Sequence, residues 1–151
     1  MSQSLSKMYI HVTYGTRFRQ NLISRDLAPQ LHAYLGAVHE DQDCPALIIN
    51  SMPDHVHILF RMSKTVSIAD LIEHVKKYSS KWVKCQPLGP ESFYWQNGYG
   101  AFSVSQSQIS RVIKYISRQE EHHKKFTYRE EIDCLMKKYE VEGYNPKYYW
   151  H

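Results

Sequence analysis

The chain has 151 residues, and its 19 Lys and Arg against 15 Asp and Glu give a net charge of +4, which suits a polyanionic partner. That length fits one compact domain, and no apolar run approaches the roughly 20 residues that span a bilayer, so we expect no membrane partner. The three cysteines are widely spaced and odd in number, which excludes a zinc knuckle or a disulfide framework and favours a reducing cytoplasm.

Period-two alternation of side chains predicts four strands. They cover residues 7–14, 46–51 and 55–62 and a short segment through Phe102 and Val104. Helical spacing predicts two helices between them, one capped by Ser24 or Asp26 and one by Ser67. The order β-α-β-β-α-β is that of the split-βαβ, ferredoxin-like fold, an α+β architecture whose helices cover one face of an antiparallel sheet and leave the other available.

Helical patterns continue after the last predicted strand. A long helix is expected to begin near Ser105 or Ser107 and to bury Ile109 and Ile116. A further helix over residues 128–139 is followed by an aromatic segment ending at Trp150, listed here by its sequence Tyr144-Asn145-Pro146-Lys147-Tyr148-Tyr149-Trp150. The sequence therefore predicts a helical addition to the ferredoxin-like core.

The most informative motif is His55-Val56-His57, which follows the turn Met52-Pro53-Asp54 and opens a predicted strand. Because side chains alternate along a strand, both imidazoles project from one face and could hold one divalent cation. Two histidines make a poor catalytic site, since such a metal usually has three protein ligands. Far downstream, Tyr115 and Gln119 have i,i+4 spacing on a predicted helix and could complete the same site.

These residue types favour phosphate chemistry. A Gln carbonyl is a neutral, hard oxygen ligand that suits Mg²⁺ or Mn²⁺ better than Zn²⁺. A tyrosine beside a metal-polarised phosphodiester can attack phosphorus and form a phosphotyrosine that conserves the bond energy.

The residues alone leave other interpretations open. A His-x-His pair is often purely structural, and Tyr115 could pack at a helix edge. His122 and His123 could be additional ligands, but we expect them to be exposed or to contact phosphate.

Positive charge is concentrated in residues 61–84, which hold six basic side chains and two acidic ones. Such a cluster either neutralises phosphates or forms a solvated helix face, and the charge count does not decide between them. The tail from Phe126 is slightly acidic, with four basic and five acidic side chains. The body of the chain is therefore the part expected to face a polyanion.

Five segments in combination resemble the single-tyrosine HUH transposases of the insertion-sequence 200/605 group, in which two histidines flank a hydrophobic residue. The segments are residues 9–19 with the basic turn Thr16-Arg17-Phe18-Arg19, the motif at 52–57, the helix at 76–82, the loop and strand at 93–104, and the tyrosine helix at 115–123. The resemblance covers most of the chain. It implies a catalytic domain over residues 1–125, with 126–151 as an extension of that domain.

The resemblance implies that Tyr115 is the nucleophile and that His55, His57 and Gln119 bind Mg²⁺ or Mn²⁺, without an organic cofactor. It also implies a substrate of single-stranded DNA with hairpins near the element ends, and a homodimer with sites shared between subunits. The expected DNA contacts are the basic residues Arg17, Arg19, Lys76, Lys77, Lys81 and Arg118.

Two other functions remain open at this point. A non-catalytic or domesticated protein could bind single-stranded nucleic acid on the open face of a ferredoxin-like sheet. Aromatics beside lysines, such as Tyr94, Trp95 and Tyr99, could stack unpaired bases in either case. A metal-dependent phosphohydrolase would need an activated water and would form no protein–DNA adduct. Histidines at positions 55 and 57, in place of aromatics, argue against the binding module.

Overall fold

The computed structural model describes residues 2–150. Four strands form one sheet in the order β2-β3-β1-β4, with every neighbouring pair antiparallel. The strands are β1 (Tyr9–Gly15), β2 (Ala46–Met52), β3 (His55–Arg61) and β4 (Gly100–Val104). The predicted element order and the ferredoxin-like fold are thus confirmed.

Two helices connect the strands and cover the first face of the sheet. They are α1 (Ala28–Asp41) and α2 (Ile68–Lys84). Ser67 caps α2 as predicted, because its Oγ accepts from the amide of Asp70. The predicted cap of α1 is absent: α1 begins after Leu27, which has no side-chain cap, and Ser24 Oγ accepts from the amide of Leu27 at 3.1 Å in the preceding turn. Both helices pack on fully buried strand residues such as Ile58 and Phe60. This apolar face fixes which strand side chains point the other way.

Four further helices follow β4. They are α3 (Ile109–Ser117), α4 (Gln119–His122), α5 (Tyr128–Lys138) and α6 (Pro146–Tyr149). Leu59 and Val104 pack with α3, whereas Phe102 packs with α5 and Trp150. The expectation of an open second face is therefore wrong, because apolar residues of these helices bury it. Within residues 2–150, no helix is long and apolar enough to cross a membrane.

The predicted long helix after β4 is two helices in the structure. Arg118 has φ −103° and ψ 22°, and it separates α3 from α4. Asn50 of β2 donates a side-chain hydrogen bond of 2.8 Å to the carbonyl of Ile116, which ties the end of α3 to the sheet. Tyr115 and Gln119 therefore lie on successive short helices, so tertiary contacts rather than one helix face set their relative position.

Candidate active site

Strand β3 places two buried histidines side by side on the second face of the sheet. The ring centroids of His55 and His57 are 5.1 Å apart, and neither side chain is exposed. His55 Nδ1 lies 2.7 Å from a carboxylate oxygen of Asp54, and His57 Nδ1 lies 2.8 Å from Nε2 of His11 on β1. Because both Nδ1 atoms have partners, the two Nε2 atoms remain available on the side covered by α4 and α5.

Helix α4 and the residue after it bring two more candidate metal ligands close to these histidines. The side-chain oxygen of Gln119 lies 3.2 Å from Nε2 of His55 and 2.9 Å from Nε2 of His123. The side chain of His123 is only 8% exposed, so the expectation that it would be exposed is wrong. Nδ1 of His123 donates to the carbonyl of Phe126 at 2.8 Å, and this hydrogen bond holds the His123 ring toward the cluster.

Helix α5 contributes a carboxylate that the sequence did not identify. Glu131 is 3% exposed, and its Oε1 lies 3.0 Å from Nε2 of His57 and 3.1 Å from Nε2 of His123. Its other oxygen, Oε2, accepts a hydrogen bond of 2.9 Å from the side-chain Nε2 of Gln119. An available signal was its position in the apolar stripe of α5, between the buried residues Tyr128 and Leu135. A charged side chain within such a stripe needs a polar partner.

Tyr115 reaches the same cluster from α3. Its ring centroid lies 5.9 Å from that of His57, and its hydroxyl donates to Oε2 of Glu131. Burial, together with the Glu131 carboxylate, raises the pKa of Tyr115, so the hydroxyl stays protonated at neutral pH. One chain therefore supplies the tyrosine and both histidines. The resemblance led us to expect a site shared between subunits, and that sharing stays a prediction.

Proton positions in the cluster fit a bound cation. Asp54 accepts from Nδ1 of His55, and the carbonyl of Phe126 accepts from Nδ1 of His123. A neutral imidazole in this tautomer presents its Nε2 lone pair to the cluster's oxygens, at 2.9 to 3.4 Å. Facing lone pairs repel unless a proton or a cation lies between them. Ligand atoms within 4.8 Å of one another come from His55, His57, His123 and Glu131.

The ionisation of these groups is set by burial and by their neighbours. Burial opposes ionisation of Glu131, but the surrounding histidines outweigh it and hold the pKa of this carboxyl well below its usual range. Burial also opposes protonation of His55, yet hydrogen bonds to Asp54 and Glu131 raise its pKa. Burial lowers the pKa of His57 and, with His57 nearby, lowers the pKa of His11 to about 3. The lowered pKa favours the neutral form of His57, and neutral imidazoles are the form that binds metals.

Two surface grooves meet at Tyr115. The first, here the basic groove, is lined by the five basic residues Arg111, Lys114, Arg118, Lys124 and Lys125 together with Tyr115, Glu121, His122 and Phe126. The second, here the β4 groove, is lined by His11, Ser103, Val104, Ser105, Gln108, Arg111, Val112, Tyr115, Leu135, Lys138 and Tyr139. Of the six basic residues expected to contact DNA, the structure brings Arg118 to the tyrosine. The sequence interpretation missed the other four basic residues of that groove.

The remaining predicted DNA contacts lie elsewhere. Arg17 and Arg19 are exposed after β1, with their guanidinium carbons 5.7 Å from the ring centre of Tyr94 and 5.0 Å from that of Trp150. Lys77 and Lys81 are exposed on α2, which covers the opposite face of the sheet from the histidines. These four residues are accessible but do not join the tyrosine cluster.

Lys76 has a different environment from its neighbours on α2. Its ammonium donates hydrogen bonds of 2.7 Å to the carbonyls of Gln96 and Gly98, and burial lowers its pKa to about 8. These contacts brace the loop before β4, and the expected contact of Lys76 with DNA stays a prediction. In the same loop, Trp95 is buried and donates to Ser79 at 2.9 Å, so it cannot stack a base.

Comparisons with known proteins relate this chain to transposases. The family model for IS200-like transposases matches residues 4–119. The ISDra2 transposase TnpA of Deinococcus radiodurans is 23% identical over 114 residues, which are 72% of this chain and 81% of that protein.

Two solved structures share the fold. A transposase structure from Deinococcus radiodurans aligns with a TM-score of 0.59 and 22% identity, covering 79% of this chain and 98% of that one. A REP-associated tyrosine transposase bound to a REP hairpin aligns with a TM-score of 0.59 and 16% identity, covering 82% of this chain and 74% of that one. Since the family model spans most of the sequence, including both histidines, Tyr115 and Gln119, the chain belongs to the IS200-like transposase family.

Proposed function

We propose that this protein is a single-strand DNA endonuclease and strand transferase that cuts through a 5′-phosphotyrosine at Tyr115. The observation that carries the proposal is the convergence, within one chain, of the Tyr115 ring with the paired histidines of β3. Membership of a transposase family supports the same reaction class. Incubation with labelled single-stranded DNA and detection of a covalent adduct test it, as set out in the Discussion.

We propose that His55, His57 and Gln119 hold Mg²⁺ or Mn²⁺. Support comes from the donor set, because two imidazole Nε2 atoms and an amide oxygen converge, and the oxygen favours hard cations. Asp54 and His11 orient the imidazoles through their Nδ1 atoms, the usual way in which outer groups fix metal ligands. When bound, the cation supplies Lewis-acid polarisation of a phosphate oxygen.

In the proposed cleavage step, the Tyr115 oxygen bonds to phosphorus and the bond from phosphorus to the 3′ oxygen breaks. The tyrosine proton is lost to solvent as the bond to phosphorus forms, and the 3′ oxygen takes up a proton from solvent, so the overall proton count is unchanged. The 5′ phosphate stays esterified to Tyr115. Attack by another 3′-hydroxyl then reverses the step and reseals a strand without a separate energy source.

We propose single-stranded DNA with hairpins near the element ends as the substrate. Five basic side chains in the basic groove suit a polyanion that must pass the tyrosine hydroxyl. Phe126 is 44% exposed at the same groove and offers a ring for base stacking. The alternative of an open-sheet binding module loses its support, because α3 and α5 cover the sheet face that it would use.

Removing charge from the basic groove should flatten the salt dependence of DNA binding. For the double variant Arg118→Gln with Lys125→Gln, we expect the slope of log affinity against log salt to fall by up to about two units. Lys137→Gln, a charge change at an exposed position of α5, serves as the control with a single lost charge. The measurement is fluorescence anisotropy of a labelled single-stranded oligonucleotide over a salt series. An unchanged slope in the double variant would show that the groove carries only solvated charge.

We also propose a homodimer, as the family resemblance implies. Because Tyr115 and His57 meet within one chain, a mixture of Tyr115→Phe and His57→Gln subunits should stay inactive even in mixed dimers. Co-purification of differently tagged subunits verifies that mixed dimers form, and cleavage is then assayed on them. Recovered cleavage would mean that the tyrosine helix exchanges between subunits and that the site is shared.

A further inference from the structure

We infer that the C-terminal extension completes the cation site, with the Glu131 carboxylate as a further metal ligand. The inference rests on the proposed metal centre and adds a residue to it. Glu131 lies beyond residue 119, where the family model ends, so the family match does not assign it a role. Its position on α5 would make the extension a working part of the site rather than an appendage.

Distances around Oε1 of Glu131 support a shared cation. This oxygen lies 3.0 Å from Nε2 of His57, 3.4 Å from Nε2 of His55 and 3.1 Å from Nε2 of His123. Adjacent ligands of an octahedral cation with bonds of about 2.1 Å are about 3.0 Å apart. The carboxylate oxygen is therefore spaced from the imidazole nitrogens as ligands of one cation are spaced from one another.

The competing explanation is that Glu131 only accepts hydrogen bonds from protonated histidines and anchors α5. Asp54 and Phe126 already engage the Nδ1 atoms of His55 and His123, so donation from Nε2 would require both rings to be imidazolium. Those ring centroids are 4.6 Å apart, where two positive charges repel. One divalent cation replaces both protons and gives every Nε2 lone pair a partner.

Docking of α5 does not depend on the cation. Tyr128 stacks on His55 with centroids 3.9 Å apart and planes 9° apart, and its hydroxyl lies 2.9 Å from Oγ1 of Thr13. Tyr128 and Ile132 are both buried against the sheet. These contacts hold Glu131 in place, so replacing its carboxylate by the isosteric amide should leave the extension folded.

The test measures Mn²⁺ binding to the full chain by titration calorimetry, without DNA. We expect Glu131→Gln to weaken binding at least about tenfold, since even groups that only support metal ligands change affinity by about 10–100-fold. Glu142→Gln removes the same charge from an exposed position of the extension and should leave the affinity unchanged. Circular dichroism verifies that each variant is folded.

Each outcome decides the inference. If Glu131→Gln binds Mn²⁺ like the wild type while His57→Gln does not, the inference is wrong and the proposed metal centre stands. If the wild type binds no Mn²⁺, both are wrong. Should Glu131→Gln fail to fold, hydrogen exchange on the wild type decides. Slower exchange over residues 128–138 when Mn²⁺ is added supports a ligand on α5, and unchanged exchange contradicts it.

Discussion

Tyr115→Phe should lose cleavage of single-stranded DNA by at least about a thousandfold while retaining DNA binding. The substitution removes only the hydroxyl oxygen that forms the bond to phosphorus. Its ring packs beside the apolar cluster of Leu59 and Ile116, and Phe preserves those contacts. The measurement combines denaturing gels of labelled oligonucleotide, taken from the genomic flanks, with mass spectrometry of the modified peptide.

Tyr139→Phe provides the matched control for this experiment. Tyr139 lines the β4 groove, and its ring stacks on Phe102 with centroids 4.7 Å apart, so loss of its hydroxyl should leave cleavage intact. An adduct mapped to another tyrosine, or wild-type cleavage by the Tyr115 variant, would remove Tyr115 as the nucleophile.

His57→Gln should abolish detectable cleavage and weaken Mn²⁺ binding at least about tenfold. Gln keeps much of the side-chain volume at a site where His57 is fully buried. Ala at this position would leave a cavity and deprive Glu131 and His11 of a hydrogen-bond partner. The Mn²⁺ affinity, by titration calorimetry, and the thermal unfolding temperature are measured on the same protein preparation.

His32→Gln is the control for the histidine variant. His32 is a half-buried histidine of α1 that contacts Ser51 at 2.7 Å, away from the cluster. It should bind Mn²⁺ and cleave DNA like the wild type. If His57→Gln retains wild-type Mn²⁺ affinity while remaining folded, the paired histidines are not the metal site.

Local periodicity was sufficient for the ferredoxin-like core. Strand alternation is a property of neighbouring residues, and so is the cap that Ser67 provides, which is why the hairpin and α2 lie where the sequence predicts. The break at Arg118 has no local signal, because the hydrogen bond from Asn50 to Ile116 joins residues 66 positions apart. The covered second face likewise depends on where α5 packs.

The sequence likewise predicts some residues of the candidate site but not others. Two local spacings, one on β3 and one near Tyr115, indicated the histidines and the tyrosine, and the family resemblance joined them. Glu131 is 74 residues from His57 in sequence, and the packing of α5 on the sheet, with Tyr128 stacked on His55, brings the two together. For Lys76, the charge is visible in the sequence but its two carbonyl partners are not.

The meeting of the two grooves at Tyr115 has a consequence for strand joining. In the proposed cleavage, the fragment that carries the 5′ phosphate becomes covalently attached to the tyrosine, whereas the fragment that ends in the 3′-hydroxyl keeps only non-covalent contacts to the groove walls. The basic side chains that line these walls hold a polyanion by ionic attraction, which salt weakens. Raised ionic strength therefore lowers the yield of resealing at two stages, because it weakens binding of the substrate and then retention of the fragment with the free 3′-hydroxyl. Cleaved but unsealed DNA should therefore accumulate at salt concentrations at which the first cleavage still occurs.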